Sequence, residues 1–182
     1  IGALVNGGVC FMVIGKYDTA KVMMQKVIEL RPDFFQAYLY LAKCYYLLDS
    51  LDLAKKQYKL VIAIIDTMNI PASEGKSKEE KYGAHLLEAN KFIGLIELLG
   101  KHYPSAIEHL KKAVEYEPKD KRDLEAHLWL AQSYALSLGN TKITVEEAHA
   151  IRQKAIEQYE IVLKIDPKNK PAIKELDQIK GK

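Results

Sequence analysis

Residues 15 to 32, GKYDTAKVMMQKVIELRP, run as a turn, an amphipathic helix and a proline stop. The same skeleton returns as YPSAIEHLKKAVEYEP at 103–118 and as RQKAIEQYEIVLKIDP at 152–167. Ala20, Ala106 and Ala155 each lie 12 residues ahead of a proline, and a fourth copy shows at Ala54 with Asp66 in the proline place. Ala20 to Ala54 is 34 residues; the next two intervals, 52 and 49, exceed that period by 18 and 15. Ahead of each such helix lies another with a small residue at its centre: LVNGGVCF, YLYLAKCYY, KFIGLIELL and HLWLAQSYAL. Apolar residues recur at three- and four-residue spacing in both halves, and no alternating run bounded by turn residues reads as a strand. The pattern predicts an all-α chain of helix pairs. Gly8, Ala42, Gly94 and Ala131 on the first helices, with Ala20, Ala54, Ala106 and Ala155 on the second, supply the small side chains that close crossings need.

These residues resemble the tetratricopeptide repeat, whose period is 34 residues. The first copy matches as Leu4, Gly7-Gly8, Phe11, Ala20, Met24 and Pro32, the second as Tyr38, Leu41-Ala42, Tyr45, Ala54 and Tyr58. The third offers Gly94, Tyr103, Ala106, Leu110, Ala113 and Pro118, with Glu97 where an aromatic is usual. The fourth offers Leu130-Ala131, Tyr134, Ala155, Tyr159 and Pro167. The resemblance implies one domain over 1–182, a right-handed superhelical solenoid of antiparallel helix pairs. Its repeats would fall near 1–34, 35–69, 78–120 and 121–168, with a capping helix near 170–180.

Two insertions break the period. After Val61 the helix continues through Asp66, IPASEGK breaks it, and Ser77 with Glu80 forms a capping box that opens a helix of about 22 residues, against a mean of about 11–12. After Gly139, Thr144 with Glu147 forms a second box, and the second helix of the fourth repeat gains nearly three turns at its start. Val5, Val9, Met12 and Val13 fall on the side of the first helix that family members leave open. This suggests packing on upstream repeats or self-association through that helix. The chain does not begin with Met and reads as a piece of a longer protein.

Composition narrows function mainly by exclusion. Lys and Arg number 27 against 24 Asp and Glu, interleaved, so nucleic acid and anionic membrane are not the expected partners. The cluster KDKRD at 119–123 reads as a solvated turn. The apolar opening IGALVNGGVCFMVIG is too short to span a bilayer and has no basic leader. The balance is that of a soluble chain, cytoplasmic by default unless a signal precedes Ile1. Cys10 and Cys44, in equivalent places on neighbouring first helices, read as small core residues. EGKS at 74–77 lacks the earlier glycine and the strand of a phosphate loop. His85, His102, His109, His127 and His149 show no metal-ligand spacing and read as surface or packing residues, with only His127 near the inner face. Ser133 and His127 share a helix but, six residues apart, sit on opposite sides. The repeat framework explains Tyr17, Tyr38, Tyr45, Tyr58, Tyr103, Tyr134 and Tyr159 as core. No enzyme, metal or cofactor is expected.

The resemblance also implies where such a chain acts. First helices of the family line a concave groove that holds a peptide or a partner helix. The matching places here are Tyr40, Lys43 and Tyr46; then Lys91, Phe92 and Leu95; then Leu128, Trp129 and Gln132. Tyr40, Phe92 and Trp129 hold equivalent places and form either an aromatic ladder in the groove or packing between repeats. The subgroup that grips chaperone tails needs lysines, asparagines and an arginine where this chain has Val5, Val9, Tyr40, Glu88 and Phe92, so that ligand is not expected. The implied function is a non-catalytic protein-protein interaction scaffold for an apolar or amphipathic segment. The competing reading is a structural or oligomerising segment of a longer array with no ligand of its own.

Overall fold

A computed structural model describes residues 1–71, 75–118, 120–139 and 142–181. Among the described residues all regular structure is helical, in nine helices. They are α1 (Gly2–Val13), α2 (Tyr17–Leu30), α3 (Phe35–Leu47), α4 (Leu51–Thr67), α5 (Lys78–Leu99), α6 (Tyr103–Glu115), α7 (Leu124–Ser137), α8 (Val145–Ile165) and α9 (Lys170–Lys180). The chain divides into two compact units, Ile1–Phe92 and Ile93–Lys182, with the division falling inside α5. In the first unit α1 packs on α2, α2 on α3 and α3 on α4; in the second α6 packs on α7, α7 on α8 and α8 on α9.

The small residues stand where helices cross. Ala20, Ala54, Ala106 and Ala155 have no exposed surface, and neither do the larger side chains one turn later, Met24, Tyr58, Leu110 and Tyr159. A Cβ on Gly94 would lie 2.5 Å from Leu110 Cγ and 3.3 Å from the Ala106 carbonyl oxygen. On Gly8 it would collide with the Met24 methyl. At Gly94 the helices therefore approach closely enough that one methyl group would not fit, whereas at Gly8 the flexible end of Met24 would have to move. Burying each large apolar side chain contributes about 1.5–3 kcal/mol. No helix pair can hide both of its faces alone, which is why the pairs stack.

The hairpin turns repeat as closely as the crossings. Gly15, Asp49 and Lys101, each five residues before a repeat alanine, all adopt positive φ, at 76°, 56° and 61°. In each case the next amide donates back across the turn: Lys16 to the Phe11 carbonyl, Ser50 to Tyr45 and His102 to Glu97, all at 2.8 Å. This is the left-handed C-cap that closes a helix by satisfying its last carbonyls. The second helices α2, α6 and α8 end just before the prolines, at Leu30, Glu115 and Ile165.

Both expected capping boxes are present. Glu80 N donates to Ser77 Oγ at 3.2 Å while Ser77 N donates to Glu80 Oε2 at 2.9 Å. The pair Thr144 and Glu147 does the same at 3.1 and 2.8 Å. α5 runs for 22 residues, the predicted length. The IPASEGK break falls partly outside the described residues, at 72–74, and so does Lys119 of the basic cluster, whose neighbours Lys121 and Arg122 are exposed.

Two expectations are corrected. α8 begins at Val145, seven residues before Arg152, the place matching Tyr17, Leu51 and Tyr103 at the starts of α2, α4 and α6. The gain is therefore about two turns rather than nearly three. The other second helices start three residues ahead of their alanines, and the three matching residues of α8 are not part of the insertion. Cys10 is exposed, whereas Cys44 is fully buried. α2 covers Cys44, placing Lys21 and Asp18 near it, while α1 has no described helix ahead of it to do the same. Burial pushes the Cys44 thiol up to about 11. Among the tyrosines, Tyr58, Tyr134 and Tyr159 are buried; Tyr17, Tyr38, Tyr45 and Tyr103 are half-buried.

Candidate partner-binding site

In the first unit, the predicted groove residues are engaged with one another. Lys43 Nζ lies 2.6 Å from Glu88 Oε1 and 5.7 Å from the centre of the Tyr40 ring. Phe92 stacks on Tyr58 with ring centres 5.4 Å apart and planes 6° from parallel, and meets Tyr46 edge-on at 5.1 Å. Lys91 Nζ stands 5.7 Å from the centre of the Phe92 ring. Tyr40 packs on the small core of Met24, Val27, Ala37 and Leu41. The place that Tyr40 and Phe92 share thus covers the large side chain of the preceding second helix: Met24 under Tyr40, Tyr58 under Phe92. These rings serve packing between helix pairs while still showing an edge to solvent.

The second unit carries an open cleft of about 1070 Å³ between first helices. The last turns of α5 supply Leu95, Leu98 and Leu99, α7 supplies Trp129, Gln132 and Leu136, and α9 supplies Lys174, Glu175 and Ile179. Leu95 and Leu98 are nearly covered, but Leu99 and Leu136 are 57% and 52% exposed, so the cleft shows apolar surface to water. Three of the nine predicted groove residues, Leu95, Trp129 and Gln132, line it. Leu128 is half-buried against the core of Leu110, Leu130, Tyr134 and Tyr159.

One wall is fixed by a polar network. Tyr159, buried on α8, donates its hydroxyl to Glu175 of α9, and Gln132 Nε2 donates to the other oxygen of the same carboxylate at 3.1 Å. Burial, reinforced by Glu175, pushes the Tyr159 phenol well above its ordinary range. α9 itself starts on Asn169, whose side chain accepts from Ala172 N at 3.1 Å, with Pro171 in the first turn, and buries Ala172 and Leu176. The capping helix is therefore also a wall of the cleft.

Lys101, Arg152 and Lys174 line the cleft as well, and the groove pattern read from first helices did not reach them. Lys101 sits in a turn and Arg152 on a second helix. The signal for Arg152 was the mismatch with Tyr17, Leu51 and Tyr103 at its place in the repeat.

The remaining candidate polar residues are structural. His127 is buried, with Nδ1 2.7 Å from Gln158 Oε1 and Nε2 3.1 Å from Glu117 Oε2, and it fastens α7 to α8 and to the turn before α7. Ser133 donates to the Trp129 carbonyl at 2.7 Å. Ser77 of EGKS is a helix cap. Among the described residues no group of three or more His, Cys, Asp or Glu could hold a metal ion, and no helix is long and apolar enough to cross a membrane.

Residues 15–66 match the family model described as tetratricopeptide repeat. Over those residues the chain carries tetratricopeptide repeat sequence. Solved structures similar to it include the MamA protein, with a TM-score of 0.70 and 19% identity over 99% of this chain and 82% of that one. A chain of the APC/C hetero-tetramer Cut9-Hcn1 gives 0.70 and 17%, over 97% of this chain and 29% of that one. A Podosopora anserina putative kinesin light chain with nearly identical TPR-like repeats gives 0.62 and 17%, over 98% and 86%. At these identities the likeness is one of fold. The comparison with curated proteins gives no match. Tetratricopeptide repeats build a scaffold fold typical of protein-protein interaction, and the described helix pairs are of that kind.

Proposed function

We propose that this chain is a non-catalytic interaction module that captures an apolar or amphipathic segment of a protein partner. The observation that carries the reading is the cleft of the second unit, where exposed Leu99 and Leu136 flank Trp129 in a concavity large enough for several side chains. Large aromatic anchors in such clefts concentrate binding energy. Among its structural neighbours, Cut9-Hcn1 is itself a hetero-tetramer, which suits a role in assembly. The groove places of the first unit, Tyr40, Lys43, Tyr46, Lys91 and Phe92, form a secondary contact surface, since their side chains already hold one another.

Trp129 is the only tryptophan, so its emission reports occupancy of the cleft directly. A random peptide library displayed against the intact chain should yield binders that shift this emission. Leu136→Asp should weaken the best of them by about 10- to 100-fold, with circular dichroism unchanged because the side chain is half exposed. Binders that ignore both Leu136→Asp and Trp129→Ala would remove the cleft from consideration.

A second reading, a structural or oligomerising segment, is favoured by the end of α1, where Val13 and the following Ile14 are 82% and 63% exposed. Its mark would be a sedimentation-derived mass above that of one chain, lowered by Val13→Asp.

A further inference from the structure

Resting on the reading of the cleft as a peptide site, we infer that its ligand is an apolar protein segment flanked by acidic side chains. The charged groups on the lining are Lys101, Arg152, Lys174 and Glu175. None of the three cations forms an ion pair with another described residue. Glu175 is different: its two oxygens accept from Tyr159 and Gln132, so the one anion is turned to holding α9 in place. The cleft therefore presents two more positive charges than negative ones, above an apolar floor of Leu95, Leu98 and Trp129. A segment with carboxylates beside its apolar residues satisfies both features at once, whereas a basic segment meets like charge on entry.

The repeat framework does not require these cations. Lys101 occupies the left-handed place that Gly15 fills without strain, and a β-carbon there works against the backbone. Arg152 stands where the other second helices begin with Tyr17, Leu51 and Tyr103. Both departures from the repeat point their consequence into the same cleft. Three cations around leucine and tryptophan also fit a polypeptide better than a nucleic acid, whose phosphates call for a longer basic track.

The test sequences the binders that a random 12-residue library yields against the intact chain, then measures the best of them by Trp129 emission and calorimetry. The selected pool is expected to be enriched in Asp and Glu on either side of apolar residues. Its best member should lose roughly 5- to 10-fold in affinity to the double variant Arg152→Gln, Lys174→Gln at low salt, and that difference should shrink at 0.5 M salt. A version with Asp and Glu changed to Asn and Gln should bind both proteins equally. A pool with neutral or basic flanks, or a double variant that binds as well as the parent, overturns the acidic assignment and leaves the peptide site standing. A pool that does not touch Trp129 overturns both. A single-stranded RNA oligonucleotide that displaces the selected peptide would overturn the choice of a protein ligand.

Discussion

Tyr58 and Tyr159 occupy the same place in their repeats and have equally little contact with water, yet their hydroxyls differ in fate. Tyr159 donates to the Glu175 carboxylate, while the Tyr58 hydroxyl, covered by the stacked Phe92 ring, has no hydrogen-bond partner among the described residues. A buried hydroxyl without a partner costs about 1–3 kcal/mol, and a hydrogen bond to a charged group contributes about 1.5–3 kcal/mol. The same substitution should therefore have opposite signs at the two sites. Tyr58→Phe is expected to stabilise by about 1 kcal/mol, keeping the ring stack and deleting the orphan donor. Tyr159→Phe is expected to destabilise by about 2 kcal/mol and to loosen α9 by taking one of the two donors from Glu175. Chemical denaturation of both variants reads the signs; a loss of stability in Tyr58→Phe would mean that the hydroxyl has a partner.

At the scale of elements, the hairpin turns decide how each first helix hands over to its second. Gly15 reaches its left-handed conformation freely, whereas Asp49 carries a side chain into it. Asp49→Gly removes that conflict at the cost of a more flexible unfolded chain, so the expected gain is small, about 0.5 kcal/mol, seen as a raised melting temperature. The mirror experiment, Gly15→Ala, should lower it by about 1 kcal/mol. The turn at Gly15, the capping boxes at Ser77 and Thr144, the proline stops and the 22 residues of α5 were legible in the sequence because each is fixed by neighbours within a few positions. So were the buried alanines, since the repeat states one crossing four times over. What the sequence left hidden depends on what covers a residue from elsewhere. Cys10 and Cys44 share a place in the pattern, but only Cys44 has α2 lying over it. His127 read as either a surface or a packing residue, and Gln158 and Glu117, which make it the latter, come from two other segments. The cleft cations come from a turn, a second helix and the capping helix, and a search along first helices alone passes them by.

For the whole molecule, the division into two compact units bears on how it unfolds. In a repeat array each pair is held by its own stability and by its neighbours, so the whole chain unfolds together only as far as that coupling reaches. Trp129 lies in the second unit and its fluorescence reports that unit, whereas far-ultraviolet circular dichroism averages every helix of the chain. Two substitutions separate the units. Leu176→Ala opens a hole under α9, where the side chain is buried against the core of the second unit, and should cost about 2–3 kcal/mol there. Met24→Ala does the same beneath Tyr40 in the first unit, at a similar cost. In a urea titration Leu176→Ala is expected to move the fluorescence midpoint to lower denaturant and to split it from the dichroism curve. Met24→Ala should shift the early part of the dichroism curve and leave the fluorescence midpoint in place. If either variant shifted both probes together, the chain would unfold as one cooperative body, and the energetic independence of the two units would have to be given up.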